Sequence, residues 1–379
     1  MMPTTPRTAA DADACFAGTY AEARKQFLTE ATAAGLALQH HAHPLTGAQG
    51  EPLAMDVARH GPMTVERLLI VSSACHGVEG HCGSGVQVAA LRDPSFLSSA
   101  RDNRVAVLFI HALNPHGFSH SRRVTHENVD LNRNFQRFDQ PLPANHGYAE
   151  LHDLLLPDHW PPDAANQAAV SGWVAEHGLP RYQAAVSQGQ HTHADGLFFG
   201  GTAPTWSNQT LRSVLREHGQ GARHVAWIDL HTGLGPCGVG ERIWAGMNNP
   251  QAIARARQWW DNGGATPITS IYDGSSTSAL LTGLMWSAIH DECPDAAYTG
   301  MALEYGTVPI TSVIDALRAD HWLHRARQQG RAVGADLAAQ IAQSMRDAFY
   351  VATTDWHEQV VAQGLQGLHQ AIQGLKISA

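Results

Sequence analysis

Two histidines and a glutamate have the types and spacing of a metal-binding group. His76 and Glu79 lie three residues apart in SSACHGVEGHCGSG, a glycine-rich stretch after an apolar run, and His231 lies in the later segment DLHTGLG. Imidazole nitrogens and carboxylate oxygens bind zinc, and a catalytic zinc site uses three protein ligands and leaves one position open. The His76–Glu79 pair alone also suits a capped turn with two polar side chains. Together the three residues predict a site for one zinc ion.

An arginine-rich segment suggests a second kind of chemistry. The stretch NPHGFSHSRRVTHENVDLNRNF, residues 114–135, contains Arg122, Arg123 and Arg133 among glycine and asparagine residues. A guanidinium is always charged and can bind a carboxylate through two parallel hydrogen bonds. The segment is therefore either an anion receptor or a solvated basic loop, and composition alone leaves both interpretations open.

Both groups of residues follow short apolar runs that predict strands. These runs are RLLIVSSA, NRVAVLFIHALNP ending near His111, ARHVAWIDLHTGLG ending near Leu230, and AAYTGMALEYGT ending at Glu304. Helical stretches alternate with them. The alternation predicts an α/β fold with a mixed, largely parallel central sheet and helices on both faces. Because ligand sites of such sheets form beyond the carboxyl ends of the strands, we expect the polar clusters to share one crevice.

Composition excludes several classes of partner. The net charge of −9 and the absence of a long basic run argue against nucleic acid. No apolar stretch approaches the roughly 20 residues of a membrane helix, and the N-terminus has no apolar signal core, so we expect a cytoplasmic protein without a membrane partner. The five cysteines have unrelated spacings and are expected to be reduced, with Cys75 and Cys82 as small buried side chains.

In their order along the chain these motifs, together with LEYGT at residues 303–307, resemble the zinc carboxypeptidase superfamily, the funnelins typified by carboxypeptidase A. The resemblance covers residues 69–307, and its details are similar to a bacterial branch known mainly as a domain of unknown function. It implies the fold of that superfamily as one large domain. It also implies that His76, Glu79 and His231 are the ligands of one Zn²⁺ ion.

The resemblance assigns roles to the polar segment between residues 114 and 135. It implies that Asn132 and Arg133 bind the terminal carboxylate of the substrate. Arg123, nine residues before the asparagine, would polarise the scissile carbonyl group, and Arg122 is the less favoured neighbour. Asp130 would orient a ligand histidine through a hydrogen bond, although it also suits a loop cap.

Two further roles come from the resemblance. Glu304 would be the general base and acid, which makes it the decisive residue for activity. The superfamily has a mobile active-site tyrosine, and Tyr272 in SIYDGSS is the first candidate for a substrate-binding counterpart, with Tyr298 the second. An aromatic core position is the alternative for either tyrosine.

The resemblance implies a zinc-dependent hydrolase of the carboxypeptidase type, which cleaves an amide bond beside a carboxylate-bearing residue of a small peptide. An N-acyl amino acid deacylase, similar to aspartoacylase and succinylglutamate desuccinylase, is an alternative because it shares the metal motif. A metal-binding protein without catalysis is the third alternative. We expect an N-terminal lead-in at residues 1–60, a catalytic domain at 61–325 and a helical extension at 326–379. Homo-oligomer formation stays open.

Overall fold

The computed structural model of the protein describes residues 9–261 and 263–377. Its strands are β1 (Ala37–Thr46), β2 (Pro52–His60), β3 (Arg67–Ser73), β4 (Val105–His111), β5 (His224–Cys237), β6 (Gly240–Trp244), β7 (Ile268–Thr269) and β8 (Ala297–Gly306). Its helices are α1 (Ala9–Asp13), α2 (Tyr20–Ala33), α3 (Gly80–Leu91), α4 (Pro94–Asp102), α5 (Pro115–Ser119), α6 (His146–Leu155), α7 (Ala164–His177), α8 (Leu179–Ser187), α9 (Trp206–Gly219), α10 (Pro250–Trp259), α11 (Ala288–Glu292), α12 (Ile310–Gln328), α13 (Ala335–Phe349) and α14 (Thr354–Ile377).

The strands form one sheet in the order β1-β2-β4-β3-β5-β8-β6-β7. Its middle is parallel, because β3 pairs with β4 and β5, and β5 pairs with β8, in the parallel sense. Antiparallel pairs join β1 to β2, β2 to β4, and β6 to β8. Apolar runs such as VAVLFIH of β4 are buried along their whole length, as expected for strands covered on both faces. The predicted α/β class with a mixed, largely parallel sheet is confirmed.

Alternate side chains of the central strands enter two separate cores. Leu69 and Val71 of β3 join a cluster with residues of α2, α3, α4 and α14, whereas Leu68 and Ile70 join one with residues of α9 and α11. This division follows from the two-residue period of a strand. A third apolar cluster connects α6, α8, α12 and α13. The sheet is therefore covered by helices on both faces, and a further group of helices packs around a core of its own.

The three segments expected from the sequence contribute to one architecture. Strands β1 and β2 of the N-terminal segment belong to the central sheet, and α14 of the C-terminal segment packs in the first core. Residues 1–8, 262 and 378–379, which the expected segments include, lie outside the described residues, and the boundaries themselves stay a prediction. Among the described helices, none is both long enough and apolar enough to cross a bilayer.

One strand extends further than the sequence predicts. The sequence predicts that β5 ends near Leu230, but the strand continues to Cys237 with an irregularity after Thr232. Strands β5 and β8 remain paired at this level, with His231 directly beside Glu304. The two polar residues therefore lie inside the ladder, on neighbouring strands, because pairing with β8 stabilises the extended backbone beyond the apolar run.

Candidate active site

The turn that contains His76–Glu79 leaves β3 through an unusual backbone conformation. Ala74 has a φ of 57°, in the left-handed region, which costs a residue with a Cβ about 1–2 kcal/mol. The N–H of Gly77 donates to the carbonyl oxygen of Arg123 at 3.0 Å. A Cβ at Gly77 would overlap the backbone of Gly117, so the glycine permits this close approach. The turn is thereby fixed against the arginine-rich segment.

The three predicted ligands meet at one point. Nδ1 of His76 lies 2.9 Å from Oε1 of Glu79, and Nδ1 of His231 lies 2.9 Å from Oε2 of the same carboxylate. One ligand atom from each residue lies within 4.8 Å of the others. The three side chains are at most 5% exposed. Two imidazole nitrogens and a carboxylate oxygen converging in this way fit the donor set of a zinc ion.

Each histidine has a carboxylate on the other side of its ring. Nε2 of His76 lies 3.2 Å from Oδ1 of Asp130, and Nε2 of His231 lies 2.5 Å from Oδ2 of Asp229. At His231 the carboxylate favours the tautomer with a proton on Nε2, which leaves the opposite nitrogen, Nδ1, free to bind a metal. Nε2 of His76 also lies 2.8 Å from a guanidinium nitrogen of Arg123, so Asp130 does not set the tautomer of that ring alone. Both rings are therefore oriented with Nδ1 toward Glu79.

The sequence analysis did not identify Asp229 as a site residue. The hydroxyl of Ser72 donates to Oδ1 of Asp229 at 2.6 Å, and the indole N–H of Trp227 donates to that hydroxyl at 2.7 Å. This chain of hydrogen bonds fixes Asp229 from the interior of the sheet. The signal was its position two residues before His231, because alternate residues of a strand face the same side.

Electrostatics sets the charge of each carboxylate. Burial opposes ionisation of Glu79, but the adjacent His76 and His231 hold its pKa below the usual range. Burial likewise opposes ionisation of Asp130, and the guanidinium groups of two arginines hold its pKa well below the usual value. Glu304 differs, because burial and the charge of Glu79 raise its pKa to about 8. One carboxyl group of the site is thus suited to carry a proton near neutral pH.

A second group of potential ligands overlaps the first. Cys75, Asp229 and His231 also bring one ligand atom each within 4.8 Å. Burial raises the pKa of the Cys75 thiol well above its usual value, which opposes formation of the thiolate that binds metals. His76 and His231 line the adjacent cavity, whereas Cys75 is fully buried in the apolar core. The group with Glu79 is therefore the better site for an ion that must reach a substrate.

The arginines of the segment 114–135 differ in their surroundings. Arg122 forms an ion pair with Asp320 at 2.8 Å, which is a contact between the segment and α12. Arg123 donates to Glu79 at 2.9 Å and to Asp130 at 3.0 Å, and it also lines the cavity. Arg123 therefore contacts the predicted ligands, whereas Arg122 connects the segment to α12.

Arg133 is a buried cation with unused hydrogen-bonding capacity. Its side chain is 3% exposed and donates to Oδ1 of Asp130 at 3.3 Å and to the carbonyl oxygen of Ser187 at 2.5 Å. Its Nε is buried without a hydrogen-bond partner among the described residues. Asn132 lines the same cavity, and its Oδ1 accepts the N–H of Met285 at 3.0 Å, which fixes the orientation of the amide group. These groups suit a carboxylate.

A cavity of about 590 Å³ opens beside the three predicted ligands. Its volume lies in the usual range for small-molecule sites. Glu304 and Tyr298 line it, but Tyr272 does not. The hydroxyl of Tyr272 donates to the carbonyl oxygen of Gly246 at 3.0 Å. The structure thus holds the hydroxyl of Tyr272 in a loop contact outside the cavity lining, and its role in substrate binding stays a prediction.

A family model described as "Protein of unknown function (DUF2817)" matches residues 16–363 of the chain. The chain belongs to the DUF2817 family. The family description carries no activity. No curated protein matches the sequence.

Several solved structures of metallo-carboxypeptidases are similar to this DUF2817 protein. The enzyme from Burkholderia cenocepacia is 10% identical, with a TM-score of 0.43, over 94% of this chain and 69% of its own. Bovine thrombin-activatable fibrinolysis inhibitor, in complex with tick carboxypeptidase inhibitor, is 10% identical, with a TM-score of 0.49, over 96% and 98%. The Pseudomonas aeruginosa enzyme, in complex with (2-guanidinoethylmercapto)succinic acid, is 12% identical, with a TM-score of 0.38, over 86% and 67%.

Proposed function

We propose that this protein is a zinc-dependent hydrolase of the carboxypeptidase type, which cleaves an amide bond beside a carboxylate-bearing residue of a small peptide or acyl-amino acid. The observation that carries the proposal is the convergence of His76, Glu79 and His231 at a cavity that Glu304 also lines. The proposal therefore combines a metal-ligand group, a carboxyl group whose pKa burial raises to about 8, and a cavity large enough for a small ligand.

The donor set decides what the site would hold. His76 and His231 would bind zinc through Nδ1, and Glu79 would bind it through its carboxylate, because these atoms face one another at hydrogen-bonding distances. When bound, zinc supplies an acidified water and an electrophile for a carbonyl oxygen. Asp130 and Asp229 would keep the two rings in the orientation that this binding needs.

Glu304 would move the proton. Its carboxylate accepts the backbone N–H of Leu234 through Oε1 at 3.2 Å, which leaves Oε2 for the reaction. It would take a proton from the attacking water and then give this proton to the leaving amine. Since burial raises its pKa to about 8, the group can exchange a proton near neutral pH, and a bound cation would favour the ionised form that acts first.

The arginines would position the substrate and stabilise charge. Arg133 and Asn132 would bind the substrate carboxylate, which fixes the scissile bond relative to Glu304. Arg123 would donate to the oxyanion that forms when the carbonyl group is attacked. Its guanidinium already lies against Glu79, so it is held beside the ligand group before any substrate binds.

The proposal is tested with the zinc-loaded protein and two sets of substrates, N-blocked dipeptides and N-acyl amino acids. We expect hydrolysis of at least one set, and we expect Glu304→Gln to keep zinc but lose about 10²–10⁴-fold in kcat. Glu241→Gln is the matched control. Glu241 is the partner of Glu304 on β6, but its carboxylate accepts the hydroxyl of Thr269 at 2.6 Å and does not line the cavity.

Two results would contradict the proposal. One is that neither substrate set is hydrolysed when zinc is fully bound, which would favour a metal-binding protein without catalysis. The other is a Glu304→Gln variant with the turnover of the Glu241→Gln control. Cleavage of acyl-amino acids alone would assign the deacylase, and cleavage of the dipeptides would assign the peptidase.

A further inference from the structure

One face of β8 forms a trough that leads away from Glu304. Alternate residues of a strand share a face, so Tyr298, Gly300 and Ala302 lie on the same side as Glu304. The two middle positions have the smallest side chains, which leaves space above the sheet. Glu304 lies four positions after Gly300, and the trough is therefore roughly 13 Å long at about 3.3 Å per residue.

Neighbouring strands extend the floor of this trough. In register, Trp227 of β5 lies beside Gly300, and Asp229 of β5 lies beside Ala302. On the other side, Ile243 of β6 pairs with Ala302. The cavity lining also includes two aromatic and two aliphatic side chains, those of Trp227, Trp286, Ile243 and Met285. Such walls suit a large, flat side chain of a ligand.

The hydroxyl of Tyr298 lies at the far end of the trough. It is positioned over Gly300, because a Cβ added to that glycine would overlap the hydroxyl oxygen. Tyr298 is 5% exposed, and its hydroxyl is buried without a hydrogen-bond partner in the part of the chain that the structure describes. Buried hydroxyl groups in proteins nearly always have a partner. The partner of this one is therefore expected to arrive with the ligand.

We propose that Tyr298 determines substrate specificity by hydrogen-bonding a hydroxyl at the tip of a bulky aromatic side chain, so that the preferred carboxylate-bearing residue is tyrosine-like. This inference rests on the proposed function, because the side chain is placed by the carboxylate and the scissile bond. A phenol fits the arrangement because it can both donate to and accept from the Tyr298 hydroxyl.

One carboxylate borders the path to the hydroxyl of Tyr298. Asp229 is the lining carboxylate nearest the middle of the trough, and both of its oxygens are already used, one by the hydroxyl of Ser72 and one by His231. Each of these oxygens keeps a further lone pair, so the discrimination is assigned to the hydroxyl of Tyr298 and not to the charge of Asp229. A phenol reaches past Asp229 to the hydroxyl of Tyr298 and leaves the pair with His231 intact.

The test compares two substrates that differ by one hydroxyl, benzyloxycarbonyl-glycyl-tyrosine and benzyloxycarbonyl-glycyl-phenylalanine. One neutral hydrogen bond gives a preference of about tenfold in kcat/KM for the tyrosine substrate in the zinc-loaded wild type. In Tyr298→Phe we expect this ratio to fall to about one, with the phenylalanine substrate little affected. Tyr182→Phe is the matched control, because it removes the hydroxyl of another tyrosine that lines the cavity, on α8, and should keep the wild-type ratio.

A binding measurement separates this inference from the proposed function. We expect 3-(4-hydroxyphenyl)propionate to bind the zinc-loaded protein about tenfold more tightly than 3-phenylpropionate by calorimetry, and Tyr298→Phe to remove the difference. Equal affinities, or a preference that survives in Tyr298→Phe, would overturn the inference whether or not the protein hydrolyses peptides. If no substrate is cleaved but the Tyr298-dependent preference is found, the proposed reaction is wrong and the recognition of the hydroxyl is supported.

Discussion

The hydrogen bond between Asp229 and His231 predicts a measurable change in zinc affinity. Nε2 of His231 lies 2.5 Å from Oδ2 of Asp229, and the two side chains are only 4% and 10% exposed. Asp229→Asn keeps the shape of the side chain but removes its charge. A hydrogen bond to a charged group contributes about 1.5–3 kcal/mol, and about 1.4 kcal/mol corresponds to a factor of ten in Kd. We therefore expect the Kd for zinc to rise about 10–100-fold, the usual range for partners of ligand histidines.

The assay is a competition titration of the metal-free protein against a chelator of known zinc affinity. Asp93→Asn is the matched control, since Asp93 also faces a histidine, His369, at 3.2 Å, but in a contact between the start of α4 and α14. Its zinc affinity should equal that of the wild type. If Asp229→Asn changed the Kd by less than about twofold, or by no more than the control, the orienting role of Asp229 would be refuted.

Three further predictions concern stability and substrate binding. Gly77→Ala places a Cβ against the backbone of Gly117, so we expect urea unfolding to show a loss of about 1–3 kcal/mol, and an unchanged midpoint would contradict the close approach. Arg133→Ala should raise KM for a substrate with a free carboxylate at least about tenfold more than for its neutral amide, and equal effects would argue against the carboxylate site. Burial lowers the pKa of His111 to about 4, so the unfolded chain binds more protons below pH 6.5. The contribution of neutral His111 to the free energy of unfolding should be fully present above that pH, and up to about 3 kcal/mol of it should be lost as the pH falls toward 4. In urea unfolding of the metal-free protein, His111→Gln should therefore lose less stability than the wild type over this pH range.

The sheet and the three predicted ligands could be read from local sequence. Runs such as RLLIVSS are apolar and short, and glycine-rich turns bound them, which is sufficient to predict buried strands. His76 and Glu79 lie three and six residues after the end of this run, and His231 directly follows Leu230 at the end of another. The carboxyl ends of parallel strands lie at the same edge of the sheet. These residues could therefore be expected to lie close together without knowledge of the strand order.

Other features depend on contacts between distant segments and could not be predicted in this way. The role suggested for Tyr298 requires the register of β8 against β5, and the space over Gly300 that this register leaves. The separation of Arg122 from Arg123 requires the position of Asp320 on α12, far along the chain. Sequence context alone suggested Tyr272 as a substrate-binding residue. In the structure its hydroxyl donates to the carbonyl oxygen of Gly246. Local pattern identifies potential ligands, but it does not identify the partners that orient them.

The metal centre is tested most directly by anomalous diffraction from zinc-loaded crystals at the zinc absorption edge. We predict a peak about 2.0–2.2 Å from Nδ1 of His76, Nδ1 of His231 and a carboxylate oxygen of Glu79, at the wall of the cavity. A fully zinc-loaded crystal with no peak between these atoms, or with its peak between Cys75 and Asp229 instead, would contradict the three-ligand centre and the hydrolase built on it.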